Sequence, residues 1–137
     1  MNILEMCDAE AAAVRVEANA EQAIQTMLDR DVGAVAVIDE DYRVAGIFTE
    51  RDVLRRLALG EHDLQKVPVR EIMTAPVEMA TRATAASEAL ATMVERHYRH
   101  LPIVDDNGRL LGMLSIRNVL QAQIDTLTRL LQARAVS

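Results

Sequence analysis

Aromatic side chains are nearly missing from this 137-residue sequence, which has no tryptophan, one phenylalanine and two tyrosines. A surface on which single-stranded nucleic acid stacks its bases is therefore almost excluded. The net charge of −6 also argues against a broad basic footprint for DNA or RNA. Half of the residues are nonetheless hydrophobic, so we expect a globular protein with an aliphatic core and no nucleic-acid partner.

Cysteine and long apolar runs are also scarce. Cys7 is the single cysteine, so no internal disulfide can form, which fits a reducing compartment. The longest apolar run, residues 32–38, is far shorter than the ~20 residues of a membrane helix. The first residues also lack the basic and apolar regions of a signal peptide. We therefore predict a cytoplasmic protein with no membrane partner.

Motifs for catalysis or metal binding are missing as well. The sequence has no Ser/His/Asp or Cys/His arrangement of the kind used in nucleophilic catalysis. Its three histidines and its cysteine do not follow the spacing of metal ligands. We predict no catalytic residues, no metal site and no catalytic cofactor.

One unit occurs twice in the sequence, and this repeat governs every later inference. A shift of 66 positions aligns residues 20–30 with residues 86–96 without a gap. Downstream, the residues that recur 66 positions later are Asp39, Arg43, Gly46, Arg51, Val53 and Leu54. Upstream, residues 3–5 match residues 72–74 better at a shift of 69, which predicts about three extra residues in the first copy.

Each copy has the pattern of a strand, a helix, two strands and a second helix. Apolar residues at helical spacing mark residues 20–30, and apolar runs at 34–38 and 43–48 flank an acidic turn. The second hairpin contains Asn107-Gly108, a pair that favours a tight turn. We predict an α+β fold of two βαββα units, residues 1–62 and 63–137, packed with pseudo-twofold symmetry.

The final helix extends beyond the repeat, from about residue 116 to about residue 135. Its surplus apolar stripe contains Ile124, Leu127, Leu130 and Leu131. Such a stripe most often packs on its own core, and next most often on a partner.

The strongest local signal lies where a strand passes into a helix, in residues 46–52 and again in residues 112–118. Thr49 and Ser115 fit helix N-caps, with Asp52 and Asn118 in the first turn as acceptors for free N–H groups. The same geometry also suits an anion site, and a carboxylate there can accept both hydroxyls of a ribose. Both interpretations fit the residues.

Together, residues 46–54, 69–74, 99–105 and 112–120 resemble the cystathionine-β-synthase (CBS) domain, and the tandem pair is similar to a stand-alone Bateman module. The resemblance implies a regulatory module that is not an enzyme. It also implies an adenosine-containing ligand, namely AMP, ADP, ATP, NAD or S-adenosylmethionine, in a cleft between the copies. Modules of this family commonly pair, so we expect a homodimer that acts on an unidentified effector protein.

The resemblance carries over a set of candidate ligand-binding residues, which are Thr49, Arg51, Asp52, Arg99, His100, Pro102, Ser115, Arg117 and Asn118. Because Asn118 has an amide where nucleotide-binding members usually have aspartate, we expect Asp52 to be the chief ribose clamp. Arg99 and His100 have no basic counterpart in the first copy. We expect them to approach phosphate, with affinity rising as the pH falls through ~6.5 if His100 does so.

A second hypothesis makes the chain an interaction module. In this hypothesis the clefts are vestigial, and the module serves dimerisation or docking on another protein. A co-purified nucleotide distinguishes the two hypotheses.

Overall fold

The computed structural model describes residues 2–7 and 10–136 of the chain. It begins with a 3₁₀ helix at Ile3–Met6. The strands are β1 (Ala13–Arg15), β2 (Ala34–Ile38), β3 (Val44–Thr49), β4 (His100–Val104) and β5 (Leu110–Ser115). The helices are α1 (Ala20–Arg30), α2 (Glu50–Arg56), the single turn α3 (Val69–Ile72), α4 (Ala86–Arg96) and α5 (Ile116–Val136).

Two small sheets carry the strands. In the first, β2 lies between β1, to which it is parallel, and β3, to which it is antiparallel. In the second, β4 and β5 form an antiparallel hairpin. The expected first strand of the second copy is reduced to one parallel bridge between Ala80 and Ile103. The predicted α+β fold with a long C-terminal helix is confirmed.

The 66-residue shift holds throughout the structure, including the region upstream where the sequence alignment indicated a shift of 69. The 3₁₀ helix at Ile3–Met6 corresponds to α3 at Val69–Ile72. Ile3 and Val69 are both fully buried. The expectation of three extra residues in the first copy is therefore wrong. The similarity of residues 3–5 to residues 72–74 is a short match at a shift that the structure does not use.

Backbone hydrogen bonds join the two copies at the pseudo-twofold axis. Arg43 and Arg109, which are equivalent residues of the two copies, form an antiparallel bridge. On either side, the N–H of Val44 donates to Gly108 at 3.0 Å and the N–H of Leu110 donates to Tyr42 at 3.0 Å. A residue that pairs with its own counterpart must lie on the symmetry axis, so this bridge fixes the axis of the molecule.

Each copy has its own apolar core, and the segment before each repeat packs into the core of the other copy. Val69 and Ile72 pack with Val35 and Phe48 of the first copy. Ile3 packs with a core of the second copy that includes Met93, Ile103 and Leu114. The division expected between residues 62 and 63 thus gives the order of the units along the chain. In the packing, each unit contributes a segment to the core of the other.

Capping and apolar spacing explain where α1 forms. Asn19 accepts from the N–H of Gln22 at 2.8 Å, and the Gln22 side chain accepts from the N–H of Asn19 at 2.9 Å. This capping box satisfies donors that the first turn would leave free. Ala20, Ala23 and Met27 then face the core. Among the residues that the structure describes, no helix is long and apolar enough to cross a membrane.

Candidate functional site

The Asp52 carboxylate caps helix α2 with one of its oxygens. Asp52 Oδ2 accepts from the N–H of Thr49 at 3.0 Å and from the Thr49 hydroxyl at 3.2 Å. The Thr49 hydroxyl in turn accepts from the N–H of Asp52 at 3.3 Å. This reciprocal pair fixes the start of α2, as the capping interpretation of the sequence predicts.

The other carboxylate oxygen of Asp52 accepts a hydrogen bond from the segment that follows α3. Thr74 Oγ1 donates to Asp52 Oδ1 at 2.9 Å, and Arg56 Nε lies 3.7 Å from the same oxygen. Thr74 is held in place by two backbone hydrogen bonds with Ile47. Asp52 is 4% exposed. Both oxygens of the Asp52 carboxylate thus have protein partners in this structure.

The junction before α5 repeats the cap with an amide. Asn118 Oδ1 accepts from the N–H of Ser115 at 3.1 Å and from the Ser115 hydroxyl at 2.7 Å. The Ser115 hydroxyl accepts from the N–H of Asn118 at 3.0 Å. Asn118 is half-buried. Within the described part of the chain, its side-chain nitrogen makes no hydrogen bond.

A small cavity lies beside this second junction. It brings together four of the predicted site residues, His100, Ser115, Arg117 and Asn118. The β4–β5 register explains the first of these contacts, since His100 pairs directly with Ser115. The cavity also has residues of the first copy in its wall, and the remaining lining residues are Glu10, Ala11, Ala12, Val32, Gly33, Ala34 and Met113.

The other predicted site residues lie elsewhere. Arg51 donates to the carbonyl of His97 at 2.9 Å. Pro102 is fully buried within β4, and its carbonyl accepts from the N–H of Ala80. Arg99 has an exposed side chain, while its carbonyl accepts from the N–H of Ile116 at 2.9 Å. Thr49 and Asp52 form the cap of α2.

Sequence reasoning missed the first-copy wall of the cavity. Gly33 lies there, at the position equivalent to Arg99. A Cβ added to Gly33 would lie 2.6 Å from Glu50 Oε1 and 3.3 Å from His100 Cε1. Because the Glu50 side chain is flexible and exposed, it would have to move aside to admit a side chain at Gly33. The shift of 66 residues pairs Gly33 with Arg99 in the sequence, although it does not predict that Gly33 lies beside His100.

The imidazole of His100 lies in a cationic setting. Burial, followed by the positive charges of Arg117 and Arg99, lowers the pKa of His100 to about 4. His100 is consequently neutral in the free protein at neutral pH. The expected pH transition at ~6.5 therefore does not apply to the unliganded site, because burial and both neighbouring guanidinium groups oppose protonation.

A second, larger cavity lies on the other side of Asn118, between the 3₁₀ helix and α5. Its volume is about 210 Å³. The residues that line it are Glu5, Met6, Asn118, Gln121, Ala122, Asp125 and Arg129. In residues 2–7 and 10–136, no group of three or more His, Cys, Asp and Glu side chains is placed to hold a metal ion.

Comparison with known proteins gives the family of this chain. The model of the CBS domain matches residues 5–59 and 69–125. The chain belongs to the CBS domain family. A putative signal-transduction protein with CBS domains from Burkholderia ambifaria is 32% identical, with a TM-score of 0.81 over 91% of this chain and 95% of that one.

Another CBS domain protein, from Pyrobaculum aerophilum, has been solved in complex with AMP. It is 25% identical, with a TM-score of 0.78 over 86% of this chain and 89% of that one. An uncharacterised 17.7 kDa protein from Acidianus ambivalens is 38% identical over 78% of this CBS chain. That match covers 63% of the Acidianus protein, and other curated relatives are matched over 50% and 36% of their length.

The hydrogen bonds of Asp52 with Thr49 and Thr74 generate a prediction about stability. Asp52→Ala leaves the donors of Thr49 and Thr74 without their acceptor, so we expect the free energy of unfolding to fall by roughly 2–3 kcal/mol. Asn118→Ala removes only a helix cap and is expected to cost about 1 kcal/mol. Urea denaturation followed by circular dichroism measures both. An equal loss in the two variants would show that the Thr74 contact adds nothing.

The lowered pKa of His100 generates a prediction about pH. An unfolded chain binds a proton at His100 near pH 6.5, whereas the folded chain binds it only near pH 4. Acidification through this window therefore favours unfolding, and we expect His100 to remove about 2 kcal/mol of stability between pH 7 and pH 5. Urea denaturation at both pH values should show this loss in the natural protein and not in His100→Gln. The same pH dependence in both proteins would contradict it.

Proposed function

We propose that this CBS domain pair is a regulatory module that binds a phosphorylated adenosine ligand, such as AMP, in the cavity beside Ser115 and Asn118. One observation carries the proposal: residues of both copies line a single cavity that contains His100, Ser115, Arg117 and Asn118. The AMP complex of the relative from Pyrobaculum aerophilum supports the choice of an adenine nucleotide.

The chemistry of the cavity suits such a ligand. Arg117 supplies a fixed positive charge for a phosphate, and Arg99 is close enough to act on the charge of His100. Ala12, Val32 and Met113 provide an apolar wall for an adenine ring. Among the expected ligands, the cationic cluster favours AMP, ADP, ATP and NAD over S-adenosylmethionine, which has no phosphate and bears a positive charge.

The cavity must widen to admit a nucleotide. Its volume is about 40 Å³, whereas pockets for ligands of this size measure roughly 300–1,000 Å³. Arg117 and Glu10 have exposed side chains and border the cavity, so both can move without opening the core. We infer that ligand binding separates these side chains, and that this change is what an effector protein detects.

The first copy is proposed to hold no ligand. At the junction before α2, Thr74 donates a hydrogen bond to the Asp52 carboxylate. A ligand there would have to displace Thr74 from both Asp52 and Ile47. We therefore propose one ligand per chain and revise the expectation that Asp52 is the main ribose contact.

No catalytic step is proposed for the module. The chain also matches 19% of the length of an inosine-5'-monophosphate dehydrogenase from Halobacterium salinarum, with 36% identity. This match indicates that such repeats can accompany an enzyme whose catalytic part lies elsewhere. We propose regulation of a separate effector, and a cytoplasmic location remains a prediction from the cysteine content.

If the module binds one of these ligands, we expect the ligand to raise the melting temperature of the protein. At 100 times its dissociation constant a ligand adds about 2.7 kcal/mol, which corresponds to several degrees for a chain of this size. Scanning fluorimetry with AMP, ADP, ATP, NAD and S-adenosylmethionine measures this shift. Arg117→Ala should reduce the shift, and the equivalent Arg51→Ala should retain it. If all five compounds leave the melting temperature unchanged, the vestigial hypothesis is correct.

We also propose that two chains form a homodimer through their helices. Leu120, Ile124 and Leu127 have exposed side chains on one stripe of α5. Exposed Leu28 and Leu54 have the counterparts Val94 and Leu120 at a shift of 66, so the apolar surface follows the pseudo-twofold symmetry. A second copy of the same chain offers a matching apolar face.

Light scattering at tens of micromolar protein is expected to give the mass of a dimer. Leu127→Glu should shift the protein towards the monomer, because a charge in an apolar interface loses its hydration. The control is Leu59→Glu, at a residue that is 91% exposed and lies outside the helices. A monomer mass for the natural protein, or equal dissociation by the two variants, would overturn the proposal.

A further inference from the structure

A carboxylate of the first copy lies beside the wall of the small cavity, at Gly33. The β2–β3 register pairs Ala34 with Thr49, which brings the start of α2 to this wall. The N–H of Glu50 donates to the carbonyl of Gly33 at 3.1 Å. Glu50 Oε1 lies 2.6 Å from the place that a Cβ on Gly33 would occupy. Strand pairing and a backbone hydrogen bond therefore hold Glu50 at the edge of the cavity.

The imidazole of His100 approaches the same place from the second copy. Its Cε1 lies 3.3 Å from the point that a Cβ on Gly33 would occupy. Gly33 and His100 both line the cavity. The Glu50 carboxylate of the first copy therefore borders the proposed ligand site where the second copy contributes its basic side chains.

Carboxylates of the first copy oppose the positive charges of the second copy at this cavity. Arg117 lines the cavity, and Arg99 acts with it on the charge of His100. Glu10 lines the cavity and Glu50 borders it. Glu50 is exposed and has no ion-pair partner among the side chains that the structure describes. Its negative charge is therefore available to act on a ligand, and it partly offsets the attraction of the two arginines for phosphate.

We propose that Glu50 is a specificity-determining residue that biases the cavity towards a nucleoside monophosphate and against the di- and triphosphates. The proposal rests on the function proposed above. Among the residues that line the cavity, Arg117 is the one with a fixed positive charge, so one phosphoryl group already uses the cation that the wall supplies. Each further phosphoryl group adds repulsion from Glu50 without a further cation in the wall.

Glu50→Gln tests this proposal because it removes the charge and retains the size of the side chain. We expect the affinity for AMP to rise roughly 2- to 5-fold, since the charge is exposed and screened by solvent. The affinity for ADP should rise by a larger factor than that for AMP, because the repulsion grows with the charge of the ligand. The affinity for adenosine, which has no charge, should stay within about twofold of the natural value. Higher salt should reduce the gains for AMP and ADP.

Glu21→Gln is the matched control, since Glu21 is also exposed and also lies in the first turn of a helix. The variant removes the same charge and the same favourable position at a helix N-terminus. The length of α1, about 15 Å, separates Glu21 from the cavity residues that follow the helix, which exceeds the ~8 Å screening length at physiological salt. We expect Glu21→Gln to leave all three affinities unchanged.

Isothermal titration with adenosine, AMP and ADP is the measurement, with circular dichroism to verify that each variant is folded. A larger gain for ADP than for AMP, seen with Glu50→Gln and not with Glu21→Gln, supports the inference. Weaker binding of adenosine and AMP alike by Glu50→Gln would show that the carboxylate accepts hydrogen bonds from the ligand, and this result overturns the inference alone. Unchanged affinities, or equal gains for AMP and ADP, also overturn it alone. If neither the natural protein nor Glu50→Gln binds AMP or ADP, the proposed function is overturned together with the inference.

Discussion

The pairing of Arg43 with Arg109 is the contact on which the arrangement of the two copies depends. Two 3.0 Å backbone hydrogen bonds flank it and bring the hairpins of the two copies together at the pseudo-twofold axis. Backbone groups supply these bonds, so the pairing does not depend on the identity of the side chains. In the resulting arrangement, one cavity is lined by Val32, Gly33 and Ala34 of the first copy and by Ser115, Arg117 and Asn118 of the second.

The symmetric backbone holds two chemically different junctions. In the first copy a carboxylate accepts a hydrogen bond from Thr74. In the second copy an amide occupies the same position and its NH₂ group stays without a partner among the described residues. Asp52 and Asn118 differ in one side-chain atom, which is an oxygen bound by Thr74 in the first copy and an amide nitrogen in the second. We propose that the second copy binds the ligand, whereas the Asp52–Thr74 hydrogen bond stabilises the first copy.

The repeat, the hairpins and the helix caps could be predicted from the sequence because they depend on local patterns and on a constant shift. The meeting of His100 with Ser115 follows from the hairpin register, which the Asn107-Gly108 turn indicates. The Thr74–Asp52 contact was not predictable, since it joins residues 22 positions apart through a bridge between separate elements. The low pKa of His100 likewise depends first on burial, which the sequence pattern alone does not determine, and then on the charges of Arg117 and Arg99.

The central claim is that ligand binding belongs to the second copy. A titration of isotopically labelled protein with AMP, followed residue by residue through the backbone amide signals in NMR spectra, tests it most directly. The account predicts that the largest shifts occur in residues 115–118 and in residues 32–34, with Thr49, Asp52 and Thr74 little changed. Shifts centred on Thr49, Asp52 and Thr74 would contradict the account.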